Sequence, residues 1–163
     1  MTHIHECILI ESPPSIALPA IERYLESKGN TLNLTLPLKS LGLPTELELS
    51  REVKVEFVPF VQNKLAPGRR NERIALEWQP EGNGPYPTFK GQLIIRPLSG
   101  DTELELKGGY EPPLGGVGKM FDNVAGKHIA QATARELLEV LKSDLEHEFA
   151  LFKSEVAPLP TAP

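Results

Sequence analysis

Between Gly126 and Pro158 the chain carries neither glycine nor proline, although it holds 13 glycines and 16 prolines in all. Those two residues punctuate the first three quarters instead. The distribution divides the fold into a region of strands and turns followed by one long uninterrupted element. In the last element apolar residues recur at Val117, Phe121, Val124, His128 and Ala132, then at Leu138, Leu141, Leu145, Phe149 and Phe152. Spacings of three and four predict a helix from about Val117 to Lys153, on the order of 55 Å long. No small sheet covers that length, so its last turns are expected to protrude. The acid-rich face carrying Glu136, Glu139, Asp144, Glu146 and Glu148 is expected to be solvated.

Upstream the period changes to two. Val53, Val55 and Phe57 alternate with Lys54 and Glu56. Ile74, Leu76 and Trp78 alternate with Ala75 and Glu77. Phe89, Gly91, Leu93 and Ile95 share a face, as do Leu104 and Leu106. One apolar and one charged face per strand is the pattern of an antiparallel sheet covered on one side. Ala66-Pro67-Gly68, Gly82-Asn83-Gly84-Pro85 and Ser99-Gly100-Asp101 suit hairpin turns. Leu32, Leu34, Leu36 and Leu38 form another alternating stretch. Leu47 and Leu49 run in phase with Val53 and predict one strand from about Thr45 to Val61. A first strand is expected over His3 to Glu11. Ser12-Pro13-Pro14 then caps and opens a helix that ends at Gly29, split or kinked by Pro19. The layout is α+β: one domain over residues 1–155 with a flexible proline-rich tail over 156–163. A curled antiparallel sheet wrapped around the last helix buries all the apolar faces at once. The space such a grip leaves suits an apolar ligand.

The formal net charge of −5 leaves no basic excess for a phosphate backbone, so nucleic acid is not an expected partner. A single cysteine excludes an internal disulfide framework. No apolar run approaches the roughly 18 residues of a membrane span, and the first residues lack the pattern of a signal peptide. A soluble cytoplasmic protein without membrane insertion is the expectation.

Ordered blocks along the chain resemble a known superfamily. Ile10-Glu11-Ser12-Pro13 is similar to its first strand-to-helix corner. Leu43-Pro44, Arg51 to Val55, Ala75 to Trp78, Tyr86 to Gly91, Thr102 to Leu106, Gly109 to Gly115, Phe121-Asp122 and Ala130 to Ala134 follow in order. The series resembles a bacterial subgroup, mostly without assigned function, of the START-like, Bet v 1-like superfamily (polyketide cyclase/dehydrase-like, SRPBCC). The resemblance covers about Leu43 to Leu145 well and the first forty residues loosely. It implies the helix-grip fold and a hydrophobic cavity, and it brings no catalytic residues. Members of that superfamily include lipid carriers, hormone receptors, aromatase/cyclases and chaperone activators, so fold alone does not choose the function.

Residues expected to line a ligand space are Trp78, Phe89, Tyr110, Phe121, Val124 and His128. His128 is placed on the helix stripe, facing the sheet. The leading expectation is non-covalent binding of a hydrophobic or amphipathic small molecule, a lipid or aromatic compound, between sheet and last helix. A cyclase- or dehydratase-like enzyme using His128 or Tyr110 as proton carrier is the alternative. A protein-interaction module using the sheet edge or the protruding helix is the third. No catalytic residue, metal or cofactor is assigned. Gly115-Gly116-Val117-Gly118-Lys119 imitates a phosphate loop, but Pro113 and Met120 stand where that loop needs Gly and Ser/Thr, so it reads as a turn. Asp122 and His128 are about 240° apart around a helix and make a poor pair. His3, His5 and Cys7 alternate on one strand face, as metal ligands can, but no carboxylate has obvious partner spacing. They read as a solvent-facing strand.

Overall fold

The computed structural model describes residues 2–36, 51–58, 72–81, 87–111 and 123–156. Strand β1 (Thr2–Ile10) leads into helix α1 (Pro14–Ser27). Strands β2 (Thr31–Leu36), β3 (Arg51–Phe57), β4 (Glu72–Pro80), β5 (Thr88–Pro97) and β6 (Thr102–Glu111) follow, and helix α2 (Asn123–Val156) comes last. The sheet order is β1-β6-β5-β4-β3-β2, with every neighbouring pair antiparallel. This is the helix-grip arrangement: a curled antiparallel sheet with a long helix on its inner face.

Alternation sets the inner face. Cross-strand register aligns Leu32, Val55, Trp78, Phe89 and Tyr110 in one lateral row, and all five are buried. The Trp78 and Phe89 rings stack at 4.1 Å between centroids. Gly91 and Gly108 face each other across β5 and β6 in the adjacent row. Ser99-Gly100-Asp101 forms the β5–β6 turn as expected, with Gly100 at φ 89° and the Leu98 N–H donating to the Asp101 carbonyl at 2.9 Å. Turns 66–68 and 82–85, residues 37–50 and 59–61 of the expected strands, and residues 157–163 of the expected tail lie outside the described residues, while Val156, expected to open that tail, is the last residue of α2.

Helix α1 is not split at Pro19, and its start differs from expectation at Ser12. The carbonyl that Pro19 leaves without an N–H donor belongs to Ser15, which is exposed and open to water. Ser12 does not cap the helix: Pro13 is the N-cap residue and makes no side-chain cap bond. The C-terminus behaves as expected. Gly29 adopts φ 66°, and its N–H donates to the Glu26 carbonyl while Asn30 N–H donates to Leu25, a Schellman closure.

The buried stripe of α2 runs through Ile129, Ala130, Thr133, Ala134, Leu137, Leu138, Leu141 and Leu145. Its second half was legible, whereas its first half is rotated from the expected stripe. His128 is exposed, about 150° around the axis from the line between Ile129 and Ala130. The β-branched Ile129 and Thr133 supply the packing surface instead. Thr133 is accommodated because its hydroxyl donates to the Ile129 carbonyl at 2.8 Å.

Polar ties fix α2 over the edge strand β1. The Lys142 ammonium donates to the Leu9 carbonyl at 2.7 Å, Arg135 meets Glu6 at 3.2 Å, and the Glu11 N–H donates to Glu146 at 3.3 Å. Glu146, expected only to be solvated, therefore joins Arg135 and Lys142 in covering a sheet edge. Asp144 joins the helices, accepting the Tyr24 hydroxyl proton at 2.5 Å. Burial, then this hydrogen bond, pushes the Tyr24 phenol well above the ordinary tyrosine range. Tyr24→Phe should cost about 1–2 kcal/mol in urea unfolding. In the wild type this contribution is complete below pH ~10, where tyrosine in the unfolded chain is neutral, and falls at higher pH. The alkaline loss of stability should therefore be smaller in Tyr24→Phe.

Candidate functional site

The corner after β1 builds a cavity. Pro13 and Pro14 hold the chain extended and then start α1. The Ser12 N–H donates to the Ile10 carbonyl at 2.8 Å, and the Ser12 carbonyl accepts from Thr102 Oγ1 at 2.9 Å. Both main-chain groups are thus engaged, while the Ser12 hydroxyl, on a residue only 2% exposed, has no hydrogen-bond partner among the described residues. That serine lines a cavity of about 230 Å³ between the end of β1, α1 and the later turns of α2. Small residues on α1, Ala17 and Ala20, leave the volume, while Ile16, Leu145 and Phe149 supply apolar wall. Arg23 and Glu148 supply opposite charges. A buried hydroxyl without a partner costs about 1–3 kcal/mol.

The residues expected to bind ligand are distributed differently. Trp78, Phe89 and Tyr110 are brought together on the inner face as one buried row. Trp78 Nε1 donates to the Pro87 carbonyl at 3.2 Å. Within 8 Å, the α2 backbone approaches β1, α1, β6 and β2, with few approaches to β3, β4 and β5. Large side chains such as Trp78, Phe89 and Leu93 occupy the middle of the grip. His128 does not join them: its exposure overturns the expectation that it faces the sheet. Tyr110, the other residue considered as a proton carrier, is buried. Phe121, Asp122 and the 115–119 turn lie outside the described residues, as does the side chain of Val124.

A second cluster lies on the outer face of the sheet. His5 and Cys7 point outward from β1, and strand pairing sets Cys7 directly opposite Glu105 of β6. Glu105 is only 4% exposed. Its Oε1 is 2.6 Å from His5 Nε2, which is 3.5 Å from Cys7 Sγ. Arg96 of β5 pairs with the other carboxylate oxygen. Burial first, then the carboxylates of Glu103 and Glu105, raise the Cys7 thiol above its ordinary pKa. The sequence showed the two β1 donors. It hid the third, because Glu105 is one of three charged residues alternating along β6 and only register selects it. Ser12 was likewise missed, being read as a cap.

No protein-family model matches the chain, and no curated protein matches it. Solved structures similar to it include a START superfamily protein from Mycobacterium smegmatis, at 14% identity over 89% of this chain and 97% of that one, with a TM-score of 0.46. Another is the protein CV1439 from Chromobacterium violaceum, at 15% identity over 88% and 96%, with a TM-score of 0.46. A third is the Zhui aromatase/cyclase from Streptomyces sp. R1128, at 13% identity over 96% and 98%, with a TM-score of 0.43.

Proposed function

We propose that this helix-grip protein binds a small amphipathic molecule non-covalently, against α2, in the open cavity beside the β1–α1 corner. The observation that carries the reading is a concavity walled mostly by apolar side chains, with Arg23 and Glu148 as its charged lining residues and buried Ser12 at the corner. A few polar groups in an apolar concavity are the common form of a small-molecule site. The volume equals about eight waters at ~30 Å³ each and falls below the roughly 300–1,000 Å³ of drug-sized pockets. A single ring or a short acyl segment fits that space. Its polar end would meet Arg23, and its apolar body would lie on Ile16, Leu145 and Phe149.

Native mass spectrometry of the purified chain, followed by NMR titration with small aromatic and short-chain carboxylates, tests this reading. Saturable shifts should centre on Ser12, Ala17, Ala20 and Leu145. Arg23→Gln should weaken the best carboxylate binder at least tenfold, the scale of one hydrogen bond to a charged group. Ala20→Leu should abolish binding by filling the cavity while leaving the chain folded. Shifts confined to other surfaces, or binding unchanged in Ala20→Leu, would overturn the assignment.

A further inference from the structure

We propose that His5, Cys7 and Glu105 form a binding site for a zinc-type divalent metal ion on the outer face of the sheet, apart from the cavity at Ser12. Each residue offers one donor atom, and the three donors lie within 4.8 Å of one another. They come from adjacent strands whose pairing is regular across the site, so the sheet fixes their separation without a loop. Alternate positions on β1 direct His5 and Cys7 to the same side, and the register brings Glu105 between them and β5.

The contacts distinguish chelation from a catalytic relay. A thiol–imidazole–carboxylate relay uses both ring nitrogens, one toward the nucleophile and one toward the acid. Here the same His5 nitrogen, Nε2, meets both Cys7 Sγ and Glu105 Oε1. Three donors thus converge on a common region. For bonds of about 2.3 Å to sulfur and 2.0 Å to nitrogen, tetrahedral angles require the two donors to be about 3.5 Å apart. The Sγ–Nε2 separation is 3.5 Å. The Nε2–Oε1 separation of 2.6 Å must open to about 3.3 Å, a shift of roughly 0.7 Å that side-chain torsions can provide.

Charge and second contacts agree. A thiolate and a carboxylate neutralise a dication, and the Arg96 guanidinium stands as an ion pair beside the Glu105 oxygen that the metal does not need. The charge pairing keeps that carboxylate ionised and turned toward the strand surface. The nitrogen, sulfur and oxygen set favours zinc-type ions over magnesium or calcium, which prefer oxygen alone. β1 is an edge strand, with His5 and Cys7 exposed, so the ion can enter from solvent and water can complete the coordination.

Co²⁺ titration of the full chain, in a non-thiol reductant, tests the site. One equivalent should produce the intense visible bands of tetrahedral Co²⁺ and a near-ultraviolet thiolate-to-cobalt transition. Zn²⁺ should displace both and raise the thermal midpoint. Cys7→Ser should abolish the thiolate transition, and His5→Gln should weaken binding at least tenfold. His147→Gln, at an exposed histidine on α2, should change neither. Cys7→Ser and His5→Gln alter exposed positions, so folding can be verified by circular dichroism before titration. Weak octahedral Co²⁺ spectra, or equal Zn²⁺ affinity in wild type, Cys7→Ser and His5→Gln, would overturn the proposal.

Discussion

Trp78→Ala should lower the unfolding free energy by about 4 kcal/mol, the scale for emptying a large aromatic site in a packed core. Trp78 is fully buried at the centre of the inner row and stacks on Phe89. Its removal also strands the Pro87 carbonyl that accepts the indole N–H. Trp78→Phe separates the two effects: it keeps an aromatic ring against Phe89 while losing the hydrogen bond, and should cost about half as much. Trp78 is the only tryptophan, so unfolding of both variants is followed by circular dichroism in urea. A loss below 1 kcal/mol for Trp78→Ala would show that the middle of the grip is loosely filled.

Gly91→Ala should be nearly as damaging although it adds only one methyl group. A Cβ at Gly91 would stand against the Lys107 carbonyl, 2.5 Å from Phe89 Cζ and 2.8 Å from Gly108 Cα. Gly108 meets the reciprocal obstruction from Lys90 and Gly91. Two of these neighbours are backbone, which a rotamer change cannot move aside. Forcing the strands apart should cost about 3 kcal/mol, or roughly 6–12 °C in Tm for a chain of this size. Gly108→Ala should match it. The double variant should cost less than the sum, because both methyl groups demand the same strand separation. Thermal unfolding of the three variants checks this, and full additivity would show that the glycines do not share one constraint.

The inner glycine pair shows how far the sequence could be read. Gly91 fell on the apolar face of its strand by simple alternation. Nothing in the spacing showed that Gly108 would stand opposite it, because the register between β5 and β6 pairs residues distant in the chain. The end of α1 was legible at Gly29, since only local backbone chemistry closes a helix there. Its beginning was misjudged at Ser12. A serine before two prolines looks like a cap, but the Thr102 bond to its carbonyl holds the corner from a remote strand.

Local periodicity and punctuation by themselves determined the antiparallel sheet, the long last helix and the grip of one upon the other. Burying an apolar face of period two and a stripe of period 3.6 admits few arrangements. The Leu-rich half of α2 was fixed in the same way, by repeating side chains of one chemical kind. Tertiary structure alone decided the rest. It turned Ile129 inward and His128 outward, because a weakly patterned helix start takes its rotation from the surface it meets. It left a cavity between α1 and α2 at the Ser12 corner, and it set Glu105 beside His5 and Cys7. Each of these features depends on which residues a distant element brings near, and sequence spacing carries no measure of that distance.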